Sequence, residues 1–271
     1  MSRLAFYKGH ATRNDFVLID DPAGEIELTP TDVAKLCDRR VGIGADGVLR
    51  VVKAEQVAEW TGDPGLWFMD YRNADGSIAE MCGNGLRLFA NFLVREQRLP
   101  AGRFQVATRA GVKDCEVLAD GLVRVNLGQA RLDPAPVTVT VGTASWPGTV
   151  VDVGNPHAVC YVTDAELAAL DLSRSPKWSE HAGLAAGANV EFVVIRAEGS
   201  LQLRVYERGV GETQSCGTGV VAAASAYLAR AAGIDTVEVR VPGGVLRVEP
   251  SPQGTWLTGP ATLTAQGNFL G

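Results

Sequence analysis

The sequence predicts an α+β protein of two pseudo-symmetric halves, each a curved, mostly antiparallel sheet wrapped around one central helix. Three observations predict it. Segments that alternate apolar and polar residues outnumber helical ones, and hairpin turns such as Ala119-Asp120-Gly121-Leu122 recur between them. Two apolar stretches have helical character, one from Leu86 and one from Val220. Each follows a Cys-Gly-x-Gly turn, Cys82-Gly83-Asn84-Gly85 and Cys216-Gly217-Thr218-Gly219, so one sheet-and-helix unit is written twice.

The elements echo one another in order. Asn14-Asp15-Phe16-Val17-Leu18-Ile19 matches Asn155-Pro156-His157-Ala158-Val159-Cys160 in position. Gly42-Ile43-Gly44-Ala45-Asp46-Gly47-Val48-Leu49 likewise matches Gly187-Ala188-Asn189-Val190-Glu191-Phe192-Val193-Val194. A strand over 66–73 closes at Ala74-Asp75-Gly76-Ser77, and its counterpart over 201–208 closes at Gly209-Val210-Gly211. Asn73 and Glu207 each stand nine residues before their cysteine. The helices follow, and the one from Leu86 is expected to be hydrophobic nearly all round, as a helix enclosed by sheet should be. Each is succeeded by a strand and a glycine turn, ending at Ala110-Gly111 and at Pro242-Gly243-Gly244. The endings Asn126-Leu127-Gly128 and Leu257-Thr258-Gly259 also rhyme. Leu132-Asp133-Pro134-Ala135-Pro136 is expected to break regular structure between the halves. The expected domains are 1–126, with 260–271 returning to it, and 127–259.

Composition bounds the function. A chain of 271 residues has room for two ordinary domains, and 46% hydrophobic with 21% charged residues describes a soluble globular protein. A net charge of −6 with scattered Lys and Arg argues against a nucleic-acid partner. No apolar run reaches the ~18 residues of a membrane helix, and Met1 to Lys8 lack the apolar core of a signal peptide. The five cysteines are odd in number, far apart and never spaced C-x-x-C, which disfavours a disulfide framework or a zinc finger and suggests a reducing cytoplasm.

The chemistry lies in the repeated turn. A cysteine at a helix N-terminus sits where free N–H groups and the positive dipole end stabilise a thiolate. A lone cysteine there is more often a small buried residue, but a second one in the same context is a poor coincidence. A matched thiol and thiolate suit removal of a proton from one face of a carbon and its return on the other. Gly83-Asn84 and Gly217-Thr218 would then offer backbone N–H groups to a carboxylate. No phosphate-loop motif occurs, and Gly42-Ile43-Gly44-Ala45-Asp46-Gly47 lacks a dinucleotide context. The three histidines have no metal-ligand spacing, and no motif supplies a pyridoxal lysine, so neither a metal nor a cofactor is expected. His157 alone reads as structural; Glu207-Arg208 reads as a solvated pair or a substrate clamp. Cys37, Cys115 and Cys160 lack the glycine frame.

These residues together resemble the diaminopimelate epimerase family. The resemblance is carried by Asn73-Ala74-Asp75-Gly76-Ser77, by the two Cys-Gly-x-Gly turns, and by Glu207-Arg208-Gly209-Val210-Gly211-Glu212-Thr213. Asn14-Asp15-Phe16, Gly42-Ile43-Gly44-Ala45-Asp46, Gly154-Asn155-Pro156-His157 and Pro242-Gly243-Gly244 extend it over nearly the whole chain. It implies a cofactor-independent isomerase interconverting LL- and meso-2,6-diaminopimelate in lysine and peptidoglycan precursor synthesis, usually a homodimer. It implies Cys82 and Cys216 as the two bases, with Gly83, Asn84, Gly217 and Thr218 as donors to the reacting carboxylate. Asn14, Asn73, Asn155, Asn189, Glu207 and Arg208 are implied as substrate ligands, mostly at the distal end, and His157 and Glu212 as neighbours that tune the thiols. Two departures stand out: His10-Ala11-Thr12-Arg13-Asn14 where many members carry glycines before the asparagine, and Gly47 where some carry glutamine. A proline racemase-like activity is the rival, though such racemases typically carry histidine in place of Asn84.

Overall fold

A computed structural model of the chain describes residues 4–271. Strands β1 Leu4–Ala11, β2 Asn14–Asp20, β3 Gly47–Lys53, β4 Trp67–Asn73, β5 Gly102–Thr108, β6 Gly111–Val117 and β7 Val123–Asn126 come first, with helices α1 Pro30–Cys37 and α2 Gly83–Arg95 between them. Then follow β8 Arg131–Val141, β9 Ala144–Asp152, β10 Pro156–Tyr161, β11 Lys177–Trp178, β12 Asn189–Ala197, β13 Ser200–Glu207, β14 Gly211–Thr213, β15 Val237–Val241, β16 Gly244–Ser251 and β17 Gly254–Gly259. Helices α3 Asp164–Ala169 and α4 Gly217–Leu228 lie among these, and β18 Thr262–Phe269 is the last strand. These elements form two compact units, one running to Val125 and resuming at Gly259–Gly271, the other Asn126–Thr258.

Apart from the short strands β11 on β8 and β14 on β13, the strand pairings are the same in both units. In the first, β1–β2 is antiparallel, β2–β3 parallel, β3–β4 antiparallel, β4–β5 parallel, and β5–β6–β7 antiparallel. In the second, β9–β10, β10–β12, β12–β13, β13–β15 and β15–β16–β17 repeat that sequence of directions. One further strand flanks each series: β8 is antiparallel to β9, and β18 is antiparallel to β1. The second unit thus takes its flanking strand from just before the repeat, while the first takes it from beyond the second unit. That is why residues 259–271 belong with the first unit.

Each sheet curls about its helix. Helix α2 packs against β1, β2, β3, β4, β6 and β18; α4 packs against the counterparts of the first five, β9, β10, β12, β13 and β16, and against β15. Leu86, Leu88, Phe89, Phe92 and Leu93 are fully buried, each worth about 2 kcal/mol of apolar transfer. In α4 the run Val220–Ala224 is equally buried, its alanines letting strands approach closely. The expectation of an apolar α2 is corrected at Arg87, which is also 0% exposed, and at the half-buried Asn91, so the enclosed part of the helix is not hydrophobic all round.

The proline segment is also corrected. Leu132 to Pro136 lies inside β8, which stays paired to β9 through a register shift between Asp133 and Val137. Prolines cannot donate to a ladder, and a bulge is where a strand accommodates them.

The start of β2 is pinned by charge. Asp15 accepts from Lys8 at 2.5 Å and from Arg39 at 2.7 Å, and Arg39 also reaches Asp46 at 2.7 Å. Burial alone would raise the Asp15 pKa, but Arg39 and Lys8 outweigh it and hold the carboxyl at about 2. A depressed carboxyl contributes stability above its ordinary value of 3.8, and that contribution is lost as pH falls toward about 2. Asp15→Asn is therefore expected to lower Tm at pH 7 and to flatten the loss of Tm between about pH 4 and pH 2. Parallel melting curves of both proteins check this; an unchanged acid limb would remove Asp15 from that role.

Candidate active site

Both thiols are helix N-caps. Cys82 precedes α2 with extended dihedrals (φ −136°, ψ 122°), and its sulfur accepts from the Gly85 N–H at 3.5 Å. Cys216 precedes α4 in the same conformation (φ −116°, ψ 114°), and its sulfur accepts from the Gly219 N–H at 3.4 Å. Serine, threonine or aspartate usually fills this position. Here the cap atom is a sulfur aimed at unsatisfied helical N–H groups, which favour negative charge on it. Gly83 and Gly217 open the two helices, with Asn84 and Thr218 next in each first turn.

In the first unit Asn14, Cys82 and Asn84 form one network. The Cys82 thiol donates to Asn14 Oδ1 at 3.6 Å, and Asn84 Nδ2 donates to the same oxygen at 3.2 Å. Asn14 Nδ2 donates to Asp46 Oδ2 at 2.7 Å, which orients the amide at the end of the β1–β2 hairpin. Arg87 Nη2 donates to Asn84 Oδ1 at 2.9 Å. Asn73 stands apart, its amide donating to Ser77 Oγ at 3.0 Å across its own turn.

In the second unit the groups are more numerous and more acidic. His157 is fully buried, with Nδ1 2.7 Å from Glu191 Oε1 and Nε2 3.0 Å from Asn155 Oδ1. Asn155 Nδ2 donates to Thr218 Oγ1 at 3.4 Å, and that hydroxyl lies 3.4 Å from the Cys216 sulfur. Asn189 Oδ1 accepts from the Arg208 N–H at 2.9 Å, leaving Nδ2 facing the sulfur at 4.0 Å. Glu207 accepts from the Thr213 hydroxyl. The exposed Arg208 guanidinium rests on the Ala186 carbonyl at 3.0 Å.

Burial pushes the Cys216 thiol well above its ordinary pKa, and the nearby Glu207 and Glu191 carboxylates push it further, against the Thr218 hydroxyl and Gly219 N–H. Burial likewise raises Glu207, with the Thr213 bond opposing and Glu191 adding to the rise. The other cysteines are free and buried. Burial pushes Cys37 to about 11 and Cys160 to about 12; Cys37 ends α1 and Cys160 lies within β10, so neither caps a helix N-terminus.

Glu212 is exposed and bound by Arg204 at 2.6 and 2.9 Å, while Glu207 and Glu191 are the carboxylates that raise the Cys216 thiol. Sequence reasoning missed Glu191 and Arg87. The signal was there for both: a carboxylate inside Val190-Glu191-Phe192-Val193, and an arginine inside Leu86-Arg87-Leu88-Phe89. A charge in the middle of an apolar run destined for burial needs a reason. Among the described residues no group of three or more His, Cys, Asp or Glu is arranged to hold a metal ion, and no helix is long and apolar enough to cross a membrane.

A sequence model of one family, diaminopimelate epimerase, matches residues 6–132 and 149–264. The chain belongs to the diaminopimelate epimerase family. It is 46% identical to the diaminopimelate epimerase of Streptomyces coelicolor over 279 residues, covering 99% of this chain and 96% of that one. It is 49% identical to the Corynebacterium glutamicum enzyme of the same name, covering 97% of each, and 46% identical to that of Thermobifida fusca, covering 98% and 97%. Solved structures share the fold at low identity. A PhzF-family phenazine biosynthesis protein of Bacillus anthracis superposes with a TM-score of 0.70 at 15% identity over 100% of both chains. A hydroxyproline epimerase of Agrobacterium vitis gives 0.69 at 12% over 98% of this chain and 92% of that one. As in those proteins, the family member is a sheet-dominated α+β fold.

The first turn of α4 admits no side chain at Gly219. A Cβ there would lie 2.5 Å from Glu191 Oε1, whereas at Gly85 the nearest foreign atom is a Leu49 methyl at 3.3 Å. Gly219→Ala is therefore expected to displace the Glu191 carboxylate and to lower kcat by more than about tenfold, with about 1–3 kcal/mol lost in stability. Gly85→Ala should cost less on both counts. Steady-state kinetics with thermal melts decide it, and equal small losses would show that the Glu191 carboxylate does not matter.

Proposed function

We propose that the protein epimerises diaminopimelate between its LL and meso forms with Cys82 and Cys216 as paired acid and base. The observation that carries the reading is the duplicated cap: two sulfurs, each the N-cap of a buried helix, in units of identical strand order. Family membership supplies the substrate. One thiolate takes the α-hydrogen as a proton and becomes a thiol, leaving its electron pair on the α-carbon and carboxylate. The second thiol delivers its proton to the opposite face and becomes the thiolate. The reverse reaction exchanges the roles, so no net proton is consumed.

The α-proton of an amino acid is weakly acidic, so the developing carboxylate charge needs fixed donors. The first-turn N–H groups of α2 and α4, with Asn84 and Thr218, supply them, and one such donor contributes about 3 kcal/mol to the barrier. Asn14, Asn73, Asn155, Asn189, Glu207 and Arg208 are assigned to bind the substrate, mostly at its distal amino-acid end. An Arg–carboxylate pair and a Glu–ammonium pair would discriminate strongly, because a substrate lacking those charges leaves the protein's own unpaired. His157 is assigned to hold Glu191 and Asn155 rather than to touch substrate. Place in lysine and peptidoglycan precursor synthesis, a cytoplasmic setting and a homodimer complete the reading. The five free cysteines support a reducing compartment.

Proton NMR of LL-diaminopimelate with reduced protein in heavy water tests it. Loss of the α-proton signal with appearance of the meso isomer is expected, slowed roughly 10²–10⁴-fold in Cys82→Ala and in Cys216→Ala. No exchange under reducing conditions would overturn the substrate, and exchange of proline or hydroxyproline instead would move the reading to that activity.

A further inference from the structure

Among the described residues, Arg87 is a buried cation with no carboxylate in ion-pair contact. Its guanidinium donates from Nη2 to Asn84 Oδ1 at 2.9 Å and to Thr12 Oγ1 at 3.0 Å, both neutral, while Nε and Nη1 have no hydrogen-bond partner. The protein treats its other inward arginines differently: Arg50, Arg72 and Arg109 all converge on the buried Asp70. Burial lowers the Arg87 pKa only to about 10, against an attraction to Cys82, so the side chain is charged at neutral pH. An uncompensated charge in a dry interior calls for an opposite one.

Two further observations bear on it. Thr12 and Arg13 occupy the hairpin turn between β1 and β2 with φ of +48° and +65°, where a glycine would sit without strain. In exchange Thr12 contributes the buried hydroxyl that holds Arg87. In the second unit the position matching Arg87 is Val221, and the charged groups near that thiol are the carboxylates Glu207 and Glu191, with His157 behind Glu191. The first thiol therefore sits with a cation and the second with anions.

We propose that Arg87 is a positioning residue that holds Cys82 as the thiolate of the free enzyme and fixes the Asn84 amide beside it, so that the resting proton of the pair lies on Cys216. The proposal rests on the two-thiol reading above. Hydrogen-bond polarity leans the other way, since Cys82 faces the Asn14 oxygen at 3.6 Å and Cys216 the Asn189 amino group at 4.0 Å. Those are long contacts to sulfur, and a full charge in a low-dielectric interior outweighs them. Asp46, beyond Asn14, is tied to Arg39. In turnover, Cys82 takes the α-proton first, and Cys216 gives up its own to the carbon. The charge then rests on Cys216 among carboxylates until reverse turnover or exchange with water restores it.

The test needs no substrate. Thiolate absorbance near 240 nm is titrated in full-length Cys216→Ser, which keeps Cys82, and in Cys82→Ser, which keeps Cys216. The first protein is expected to ionise at the lower pH. Adding Arg87→Met to Cys216→Ser should raise its midpoint by about one pH unit or more, and Arg87→Lys should restore most of that shift. Circular dichroism confirms folding; if the Met variant does not fold, the comparison of the two single-serine proteins and the Lys variant still decide. A lower midpoint for Cys216, or a Cys82 midpoint indifferent to Arg87, overturns the proposal. Absence of diaminopimelate exchange by the native protein would overturn the proposed function instead.

Discussion

A helix enclosed on every side by sheet has nowhere to send its first N–H groups except along its own axis, and in this protein a sulfur atom receives them. That constraint organises both units. Because α2 and α4 are buried, their N-termini cannot be satisfied by bulk water along the flanks, so the cap must come from the chain. A cysteine supplies it with an atom that can carry charge. Glycine in the first turn after the cap keeps the backbone amides bare, and at Gly219 it also leaves room for the Glu191 carboxylate. Fold and reactivity therefore share the same few atoms: the sulfur that closes each helix is also the one proposed to carry the proton.

The two units have one backbone and two electrostatic settings. Their strand directions agree throughout, and their caps agree in geometry. Their charges do not. The first unit places a guanidinium inside the helix that Cys82 caps; the second leaves a valine there and gathers Glu191, Glu207 and His157 around Cys216. A base pair that must exchange roles needs two thiols of comparable strength overall, but it must also start from a defined protonation state. Matched caps serve the first requirement and mismatched charges the second.

Much of the fold was legible because it follows from local pattern. The strand over 66–73, the turn at Gly76, the cap at Cys82 and the helix after it each carry their own signal, and the second copy repeats it. The two capping cysteines were legible for the same reason. What the sequence did not show were effects of enclosure. Nothing in Leu132 to Pro136 says that a bulge will keep the prolines in a strand. Arg87 and Glu191 looked like ordinary charges until burial on all sides made them exceptional, and nothing local to Glu212 says that Arg204 will bind it. Short-range pattern locates an element; only the packed sheet decides which of its charges face inward.

The same enclosure explains the long return of the chain. A curled sheet needs a strand beside β1 as much as beside β9, or the edge of the sheet would be left unpaired. In the second unit β8 is adjacent in sequence and fills that place. In the first unit β18 fills it, although in sequence the residues of the whole second unit separate β18 from the other strands of its sheet. The register shows a full strand rather than a touching tail, running from Leu4 against Phe269 to His10 against Thr262. Asn91 on α2 donates to the Ala261 carbonyl at 3.0 Å, and Arg95 to the Leu263 carbonyl at 3.4 Å, so the returning strand is bonded to the enclosed helix as well as to the sheet. The helix that presents Cys82 is thus completed only when this distant strand is in place. Its cap and its buried cation are local to the first unit's sequence, but its final wall is not, so the setting of the first thiol depends on a contact that no short-range pattern could specify.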